Sequence, residues 1–346
     1  MDLKELDYEL PEGLIAAFPS RERAGSRLLV VRRRTGEILH SEFSRLGDFL
    51  DPGDLLILND TQVFPARLRG SKASGGKVDV LLLERFPKEG QSLWLALVDG
   101  AKKPQVGGEI RFGDGLRAQV IGDLGCGRFG LAFLHDGEFD RLLDALGEPP
   151  LPPYVGRRRP VEALDRERYQ TVYAAHPGAI AAPTAGFHFT AELFAELEAK
   201  GIDRALLTLH VGPGTFQPVR EAKIENHRMA GERYTLGAAA AEKINRAKEA
   251  GHRVVAVGST STRTLEWIAR QEGRIVASEG IARLYICPGD PFRVADALIT
   301  NFHLPRSTPL ILVAAFAGLD LVKQAYREAI ERRYRFYSYG DAMLIL

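Results

Sequence analysis

The sequence predicts an α/β protein: a layered α/β domain formed by both ends of the chain, with a small β-barrel domain inserted into it. Two observations carry this expectation. Strand and helix signals alternate in the first 62 residues and again after residue 151, the rhythm of a layered α/β domain. Between those stretches, short β-like runs follow one another with only glycine-rich turns between them, which is the texture of a closed barrel. The length of 346 residues also suits about two domains at roughly 150 residues each. The expected division is residues 1–62 plus 151–346 for the α/β domain and 63–150 for the insert.

Taken in order, Leu28-Leu29-Val30-Val31 reads as a strand, Thr35-Gly36 as a turn and Glu37 to Ser41 as the returning strand of a hairpin. A short helical pattern covers Phe43–Leu50, the turn Asp51-Pro52-Gly53-Asp54 follows, and Leu55–Leu58 reads as a buried strand. The barrel strands are expected at Val78–Glu84, Leu93–Val98, Glu109–Phe112, Leu116–Ile121 and Phe129–Leu134. Leu151-Pro152-Pro153-Tyr154 is a stiff boundary. Beyond it the reading gives helices at Ala191–Lys200, Ala238–Ala250, Thr262–Arg270, Leu310–Ala317 and Leu321–Arg333. Strands fall at Ala205–His210, Arg253–Val257 and Ile281–Ile286.

Composition excludes several classes. Apolar residues make up 45% and charged residues 26%, so the chain can bury a core and is neither disordered nor fibrous. Its two cysteines, Cys126 and Cys287, are too few for a disulfide scaffold, a cysteine-rich zinc site or an iron–sulfur cluster, and they fit a reducing compartment. No apolar run is long enough to cross a bilayer, and Met1–Glu5 does not open a signal peptide, so a cytoplasmic location is expected. The formal net charge is +1, but arginines cluster locally: six between Arg21 and Arg34, the triplet Arg157-Arg158-Arg159, and Arg332-Arg333 with Arg335. Solvated surface explains any single run; arginine's forked contacts to phosphate and its stacking on bases tilt the set toward RNA.

Gly125-Cys126-Gly127-Arg128-Phe129-Gly130 matches the dinucleotide-binding pattern, but a strand rather than a helix follows it, so it is read as a decoy. There is no Walker loop and no nucleophile elbow. Chemistry concentrates where strands end. The strand Val254–Val257 runs into Gly258-Ser259-Thr260-Ser261-Thr262-Arg263, more hydroxyls than capping needs and suited to a carboxylate or phosphate. Asn301-Phe302-His303-Leu304-Pro305-Arg306-Ser307-Thr308-Pro309 places an amide, an imidazole and a guanidinium beside a helix start at Thr308-Pro309. His210 opens the glycine loop Gly212-Pro213-Gly214-Thr215, and His188 lies between two phenylalanines. A lone histidine is more often structural than catalytic, but three at strand-to-loop junctions point to a ligand pocket, and none shows metal-ligand spacing.

Several segments resemble the S-adenosylmethionine:tRNA ribosyltransferase-isomerase family of queuosine biosynthesis. They are Asn59-Asp60-Thr61-Gln62-Val63-Phe64-Pro65-Ala66-Arg67, Ala182–Phe189, Thr208–Phe216, Asn301–Pro305 and Tyr334–Met343, in order along the chain. The resemblance implies transfer of the ribosyl part of S-adenosylmethionine onto an aminomethyl-deazaguanine base at the tRNA wobble position. Isomerisation gives epoxyqueuosine, and adenine and methionine are released. The donor is consumed, so no further cofactor and no metal is expected. The partners are tRNA and S-adenosylmethionine, without a membrane, and the chain is expected to be a monomer. Gln62, Ser259 and Ala230 depart from the usual pattern, and Ala230 stands where a second histidine after His227 is frequent, which weakens His227 as a candidate.

The implied reaction needs a base for the C–H beside the sulfonium, an acid for departing adenine and a base for the attacking amine. His188, His210 and His303 are the candidates, with Asp341 as an orienting partner or second base. Donor binding is assigned to Thr184, Gly212, Gly214, Thr215, Gly258, Ser259, Thr260, Ser261, Thr262, Arg263 and Asn301. The tRNA is assigned to Arg21, Arg23, Arg27, Arg157, Arg158 and Arg159. Two other readings compete: a methyltransferase, which lacks its glycine-rich loop here, and a non-catalytic RNA-binding protein.

Overall fold

The computed structural model describes residues 1–88, 91–113, 115–156, 158–212 and 219–346. Its centre is the strand β3 (Leu55–Asn59), in which every residue is buried. Leu55 and Ile57 pack into one apolar cluster and Leu56 and Leu58 into another, on the opposite face of the sheet. A strand covered on both faces needs an unbroken apolar run, which is why Leu-Leu-Ile-Leu rather than an alternating pattern stands here. Truncating Ile57 to Ala would cost about 2–5 kcal/mol.

Nine strands form the sheet. Beside β3 they are β1 (Arg27–Arg32), β2 (Glu37–Glu42), β12 (Asp203–Leu209), β13 (Glu232–Leu236), β14 (Val254–Val257), β15 (Ser278–Ala282), β16 (Ala297–Asn301) and β17 (Ala342–Ile345). The order is β15-β13-β12-β3-β14-β16-β17-β1-β2. Strands β12, β3, β14 and β16 run parallel, while β17 is antiparallel to β16 and parallel to β1. The first and last strands of the chain are therefore neighbours. Two short parallel strands, β4 (Thr61–Val63) and β11 (His176–Ala179), leave the end of β3 and lead toward the barrel.

The barrel is closed by six antiparallel strands in the order β10-β7-β6-β5-β8-β9. These are β5 (Arg67–Lys72), β6 (Lys77–Lys88), β7 (Gln91–Asp99), β8 (Glu109–Gly113), β9 (Leu116–Asp123) and β10 (Arg128–His135). Inward residues alternate along β7, with Trp94, Ala96 and Val98 buried in a core separate from the sheet's two faces. The expected α/β architecture with a β barrel is thus observed. The decoy Gly125-Cys126-Gly127 is the β9–β10 hairpin turn, so no helix N-terminus is there to hold a pyrophosphate.

The helices are α1 (Phe139–Leu146), α2 (Pro153–Gly156), α3 (Ala163–Arg168), α4 (Ala191–Ala199), α5 (Ala238–Glu249), α6 (Gly258–Glu272), α7 (Thr308–Ala317) and α8 (Leu319–Glu331). Two expectations are corrected: Phe43–Asp48 is a 3-10 segment rather than an α-helix, and the strand expected at Ile281–Ile286 is β15, which starts and ends earlier. No single described helix is long and apolar enough to cross a membrane, and the apolar α7 is a buried core helix.

Candidate active site at the carboxyl edge of the sheet

The carboxyl ends of β12, β3, β14 and β16 lie along one edge, and the sequence places His210, Asn59-Asp60-Thr61, Gly258 and Asn301 immediately there. Crevices at such an edge are where open α/β sheets bind ligands. Asn59 ties three of these strand ends together. Its amide donates to the Leu209 carbonyl (3.0 Å) and to Thr260 Oγ1 (3.2 Å), and its Oδ1 accepts from the Leu209 and Thr61 N–H groups. Gly258, at φ +86°, turns β14 straight into α6, so the helix begins four residues earlier than the sequence suggested. No side chain caps that helix start, so its first N–H groups have no capping side-chain acceptor.

The four hydroxyls after Gly258 divide their work. Thr262 bonds back to the Gly258 carbonyl, Thr260 meets Asn59, and Ser261 is fully buried without a hydrogen-bond partner. Ser259 lines a small cavity with Arg263, Tyr285 and Thr308. Arg263 is also buried: Nη1 contacts Glu232 at 2.5 Å and Nε donates to the Leu284 carbonyl, while Nη2 has no partner among the described residues. Glu232 in turn accepts the N–H of Gly212. Gly214, Thr215 and Arg157 lie outside the described residues.

Each of the three expected histidines has its own hydrogen-bond partners. His188 sits in the 3-10 segment Thr184–His188, buried, with Nδ1 2.9 Å from Ser26 Oγ and Nε2 3.2 Å from the Asn301 amide. Thr184 fixes that amide by donating to Asn301 Oδ1 (2.8 Å), so the Asn301 Nδ2 donates to the imidazole. Burial, with Arg335 and Arg23 nearby, pushes the His188 pKa down to about 3. His303 holds Thr300 Oγ1 at 2.7 Å, its N–H donates to the Tyr326 hydroxyl, and burial pushes it to about 3 as well. His210 has Nδ1 2.8 Å from Thr61 Oγ1, and its pKa is lowered by burial, then by Arg233 and His176. His227 pairs with Glu221 instead.

Asp341 has arginine rather than histidine partners: it accepts from Nε and Nη2 of Arg27 and from the N–H groups of Arg27 and Arg335. Most of the arginines assigned to RNA also have partners within the protein. Arg27 also donates to the carbonyls of Arg332 and Arg333, and Arg23 to those of Gln170, Phe187 and Glu167. Arg159 forms a buried two-pronged pair with Asp165, and Arg158 reaches the carbonyls of Glu12 and Ile15. Irregular segments expose carbonyls that need donors, and a guanidinium supplies five. Arg21 alone of the described five is exposed without a side-chain partner among the described residues.

Sequence reading missed Asn59, Asp60, Thr61 and His176 as site residues. The available signal was position: Asn59-Asp60-Thr61 ends an all-apolar strand. A surface cavity of about 280 Å³ lies elsewhere, at the amino ends of β3 and β12 against α4, lined by Leu56, Phe194, Asp203 and Arg204. Among the described residues no group of three or more His, Cys, Asp or Glu side chains could hold a metal ion.

Comparison with known proteins shows the family. The sequence profile of the family described as queuosine biosynthesis protein matches residues 3–345. A Pelobacter propionicus protein named S-adenosylmethionine:tRNA ribosyltransferase-isomerase is 49% identical over the full length of both chains. An Anaeromyxobacter protein of the same name is 50% identical, over 100% of this chain and 99% of its own. The crystal structure of a Thermotoga maritima S-adenosylmethionine tRNA ribosyltransferase is 40% identical, with a TM-score of 0.56, covering 99% of this chain and 100% of that one. From its third residue to its next-to-last, this chain belongs to the queuosine biosynthesis protein family.

Proposed function

We propose that this protein is an S-adenosylmethionine:tRNA ribosyltransferase-isomerase. It moves the ribosyl part of S-adenosylmethionine onto the aminomethyl-deazaguanine wobble base of tRNA and releases adenine and methionine. The observation that carries the reading is end-to-end identity of about half with relatives bearing that name, and the sheet-edge site supports it. The catalytic unit is residues 1–62 plus 151–346, the barrel unit is 63–150, and the enzyme works in the cytoplasm as a monomer.

The donor lies over the start of α6 and contacts its uncapped N–H groups, Thr260 and Asn301. The positive end of that helix suits the carboxylate of the methionine part. Thr184 and Gly212 contact the donor in this reading, as do Gly214 and Thr215. His210 is the histidine suited to proton transfer, because its Nε2 has no partner among the described residues. His188 serves by orienting Asn301, His303 by holding the turn between β16 and α7, and Asp341 by anchoring Arg27. Arg21, with the exposed part of Arg158 and with Arg157, contacts tRNA phosphates. The decisive test is mass analysis of a reaction containing the protein, S-adenosylmethionine and tRNA bearing the precursor base. Equal release of adenine and methionine with a matching mass gain on the tRNA is expected. Release of S-adenosylhomocysteine would mean methyl transfer, and an intact donor with bound tRNA would mean a binding protein.

A further inference from the structure

Six carboxylates are buried among the described residues: Asp54, Asp60, Asp165, Glu232, Glu266 and Asp341. A buried carboxylate needs compensation. Four of them have an arginine: Asp54 has Arg253, Asp165 has Arg159, Glu232 has Arg263 and Asp341 has Arg27. Glu266 instead accepts three backbone N–H groups, from Arg293, Val294 and Ala295. Asp60 has neither. It is 5% exposed, and its Oδ1 takes one neutral donor, the Thr208 hydroxyl at 2.6 Å. Its Oδ2 faces Nε2 of His176 at 3.6 Å. Burial accordingly raises its pKa, against the opposing effects of Thr208 and His176.

We propose that Asp60, His176 and His210 form the proton-transfer site of the reaction, with Asp60 holding His176 in place and the two imidazoles exchanging protons with the donor. The proposal deepens the function proposed above and rests on it. The chain has fixed the three residues to one another through the backbone. The Asp60 carbonyl accepts the N–H groups of Ala175 (2.8 Å) and His176 (3.3 Å), and His176 pairs with Thr61 across β11 and β4. Thr61 in turn holds Nδ1 of His210. Gly178, two residues after His176, lays its bare backbone on the His210 ring; a Cβ there would stand 2.7 Å from it. The side chain of His176 is 61% exposed, so a substrate entering between the sheet edge and the barrel can reach it.

The surroundings separate the two imidazoles. His176 has a buried carboxylate beside it. His210 faces Arg233 and His176, both cationic or able to be so, and is kept neutral by burial and by them. Tyr173 is the other titratable group near Asp60. His210, kept neutral, is the base, and His176, whose Nε2 lies 3.6 Å from the Asp60 carboxylate, is the acid. His210 Nε2 takes the proton from the carbon beside the sulfonium. The electron pair left on that carbon forms a double bond to the neighbouring ring carbon as the neighbour's bond to the ring oxygen breaks. The oxygen becomes a carbonyl on the carbon that carried adenine, adenine leaves with the electron pair of its bond, and the imidazolium of His176 supplies the proton that adenine gains. His210 ends protonated and His176 neutral, so the protons balance, and exchange with water resets both.

The test compares the full-length protein with its His176→Gln, Asp60→Asn and Asp60→Glu variants. Because His176 is largely in solvent, its variant keeps the wild-type melting temperature. General acid–base catalysis is worth about 10²- to 10⁴-fold, so His176→Gln lowers kcat for adenine release by at least about 100-fold with the donor KM within three-fold. Asp60→Asn does the same, and Asp60→Glu keeps part of the rate. Turnover of His176→Gln within three-fold of wild type overturns the proposal. A reaction-independent readout is the titration of the His210 ring protons by NMR. The midpoint rises toward the ordinary histidine value in His176→Gln if the two rings share one field, and a midpoint that does not move overturns the pairing. If wild-type protein consumes no donor, the proposed function falls, while this titration still decides the pairing.

Discussion

Replacing Gly178 by Ala tests whether the position of the His210 ring sets the rate. The new Cβ would lie 2.7 Å from Cε1 and Nδ1 of His210 and 3.0 Å from Cγ, where ordinary contact begins at 3.4 Å. The ring must therefore retreat by about 0.7 Å or more, away from Gly178, and its 2.8 Å bond to Thr61 lengthens or breaks. Displacing a catalytic group by about 1 Å costs on the order of 100-fold in rate. Overpacking and a backbone angle of +152° that alanine rarely adopts add about 1–3 kcal/mol of destabilisation. Adenine release, measured with saturating S-adenosylmethionine and precursor tRNA, should fall by about 100-fold while most of the protein stays folded at 25 °C. Combining Gly178→Ala with His210→Gln should be no worse than His210→Gln alone, because both act through the same ring. A Gly178→Ala enzyme within three-fold of wild type would refute the assignment of His210 as the base.

Three further outcomes are expected. Burial alone would raise the Asp165 carboxyl, but its bonds to Arg159, the Glu162 N–H and Tyr339 outweigh that and lower it. The stability it contributes is therefore present above the ordinary carboxylate value of about 3.9 and lost as pH falls through its lower folded value. Asp165→Asn, by breaking a buried pair, should cost about 3–5 kcal/mol at pH 7 in denaturant melts and much less at pH 2. Substituting Arg23 or Arg27 by Gln should lower the melting temperature yet leave the salt dependence of tRNA affinity unchanged, whereas Arg21→Gln should reduce the slope of log K against log salt by about one. Asn59→Ala, which leaves the Thr61 and Leu209 N–H groups without their acceptor, should cost about 1–3 kcal/mol in melts and raise the KM for the donor.

What the sequence made legible was whatever local physics decides. The apolar runs at Leu28–Val31, Leu55–Leu58 and Val254–Val257 are strands because both faces of the sheet are covered, and the glycine-rich spacing of residues 65–148 closes a barrel. Strand β16 was hidden because Ala297–Asn301 is short and without alternation, so periodicity alone does not mark it as a strand. Strand β13 alternates with charge, Glu232-Arg233-Tyr234, and Arg263 meets its inward Glu232 from α6. That partner is 31 residues away, so no local window shows it. The start of α6 was misplaced for a related reason: Ser and Thr disfavour helix interiors, but here Thr262 and Thr264 bond back to carbonyls four residues earlier.

The histidines carry the same lesson into chemistry. The largest shifts belong to His188 and His303, both pushed to about 3, and a strongly perturbed pKa is usually taken as a mark of function. In these two rings burial alone is cause enough for the shift, and we read them as positioning rather than proton-transferring groups. A group with a pKa near 3 is a weak base at neutral pH and almost never protonated, so it can neither take nor give protons efficiently. His188 spends both ring nitrogens on Ser26 and Asn301, and His303 spends one on Thr300 and its backbone on Tyr326. Their shifts record the cost of burying a satisfied ring. Asp60 is the informative case because its environment leaves it short of partners instead of supplied with them. A carboxylate that folding could have paired with arginine, as it did four times elsewhere, but left facing a half-exposed imidazole, is placed for a substrate to complete.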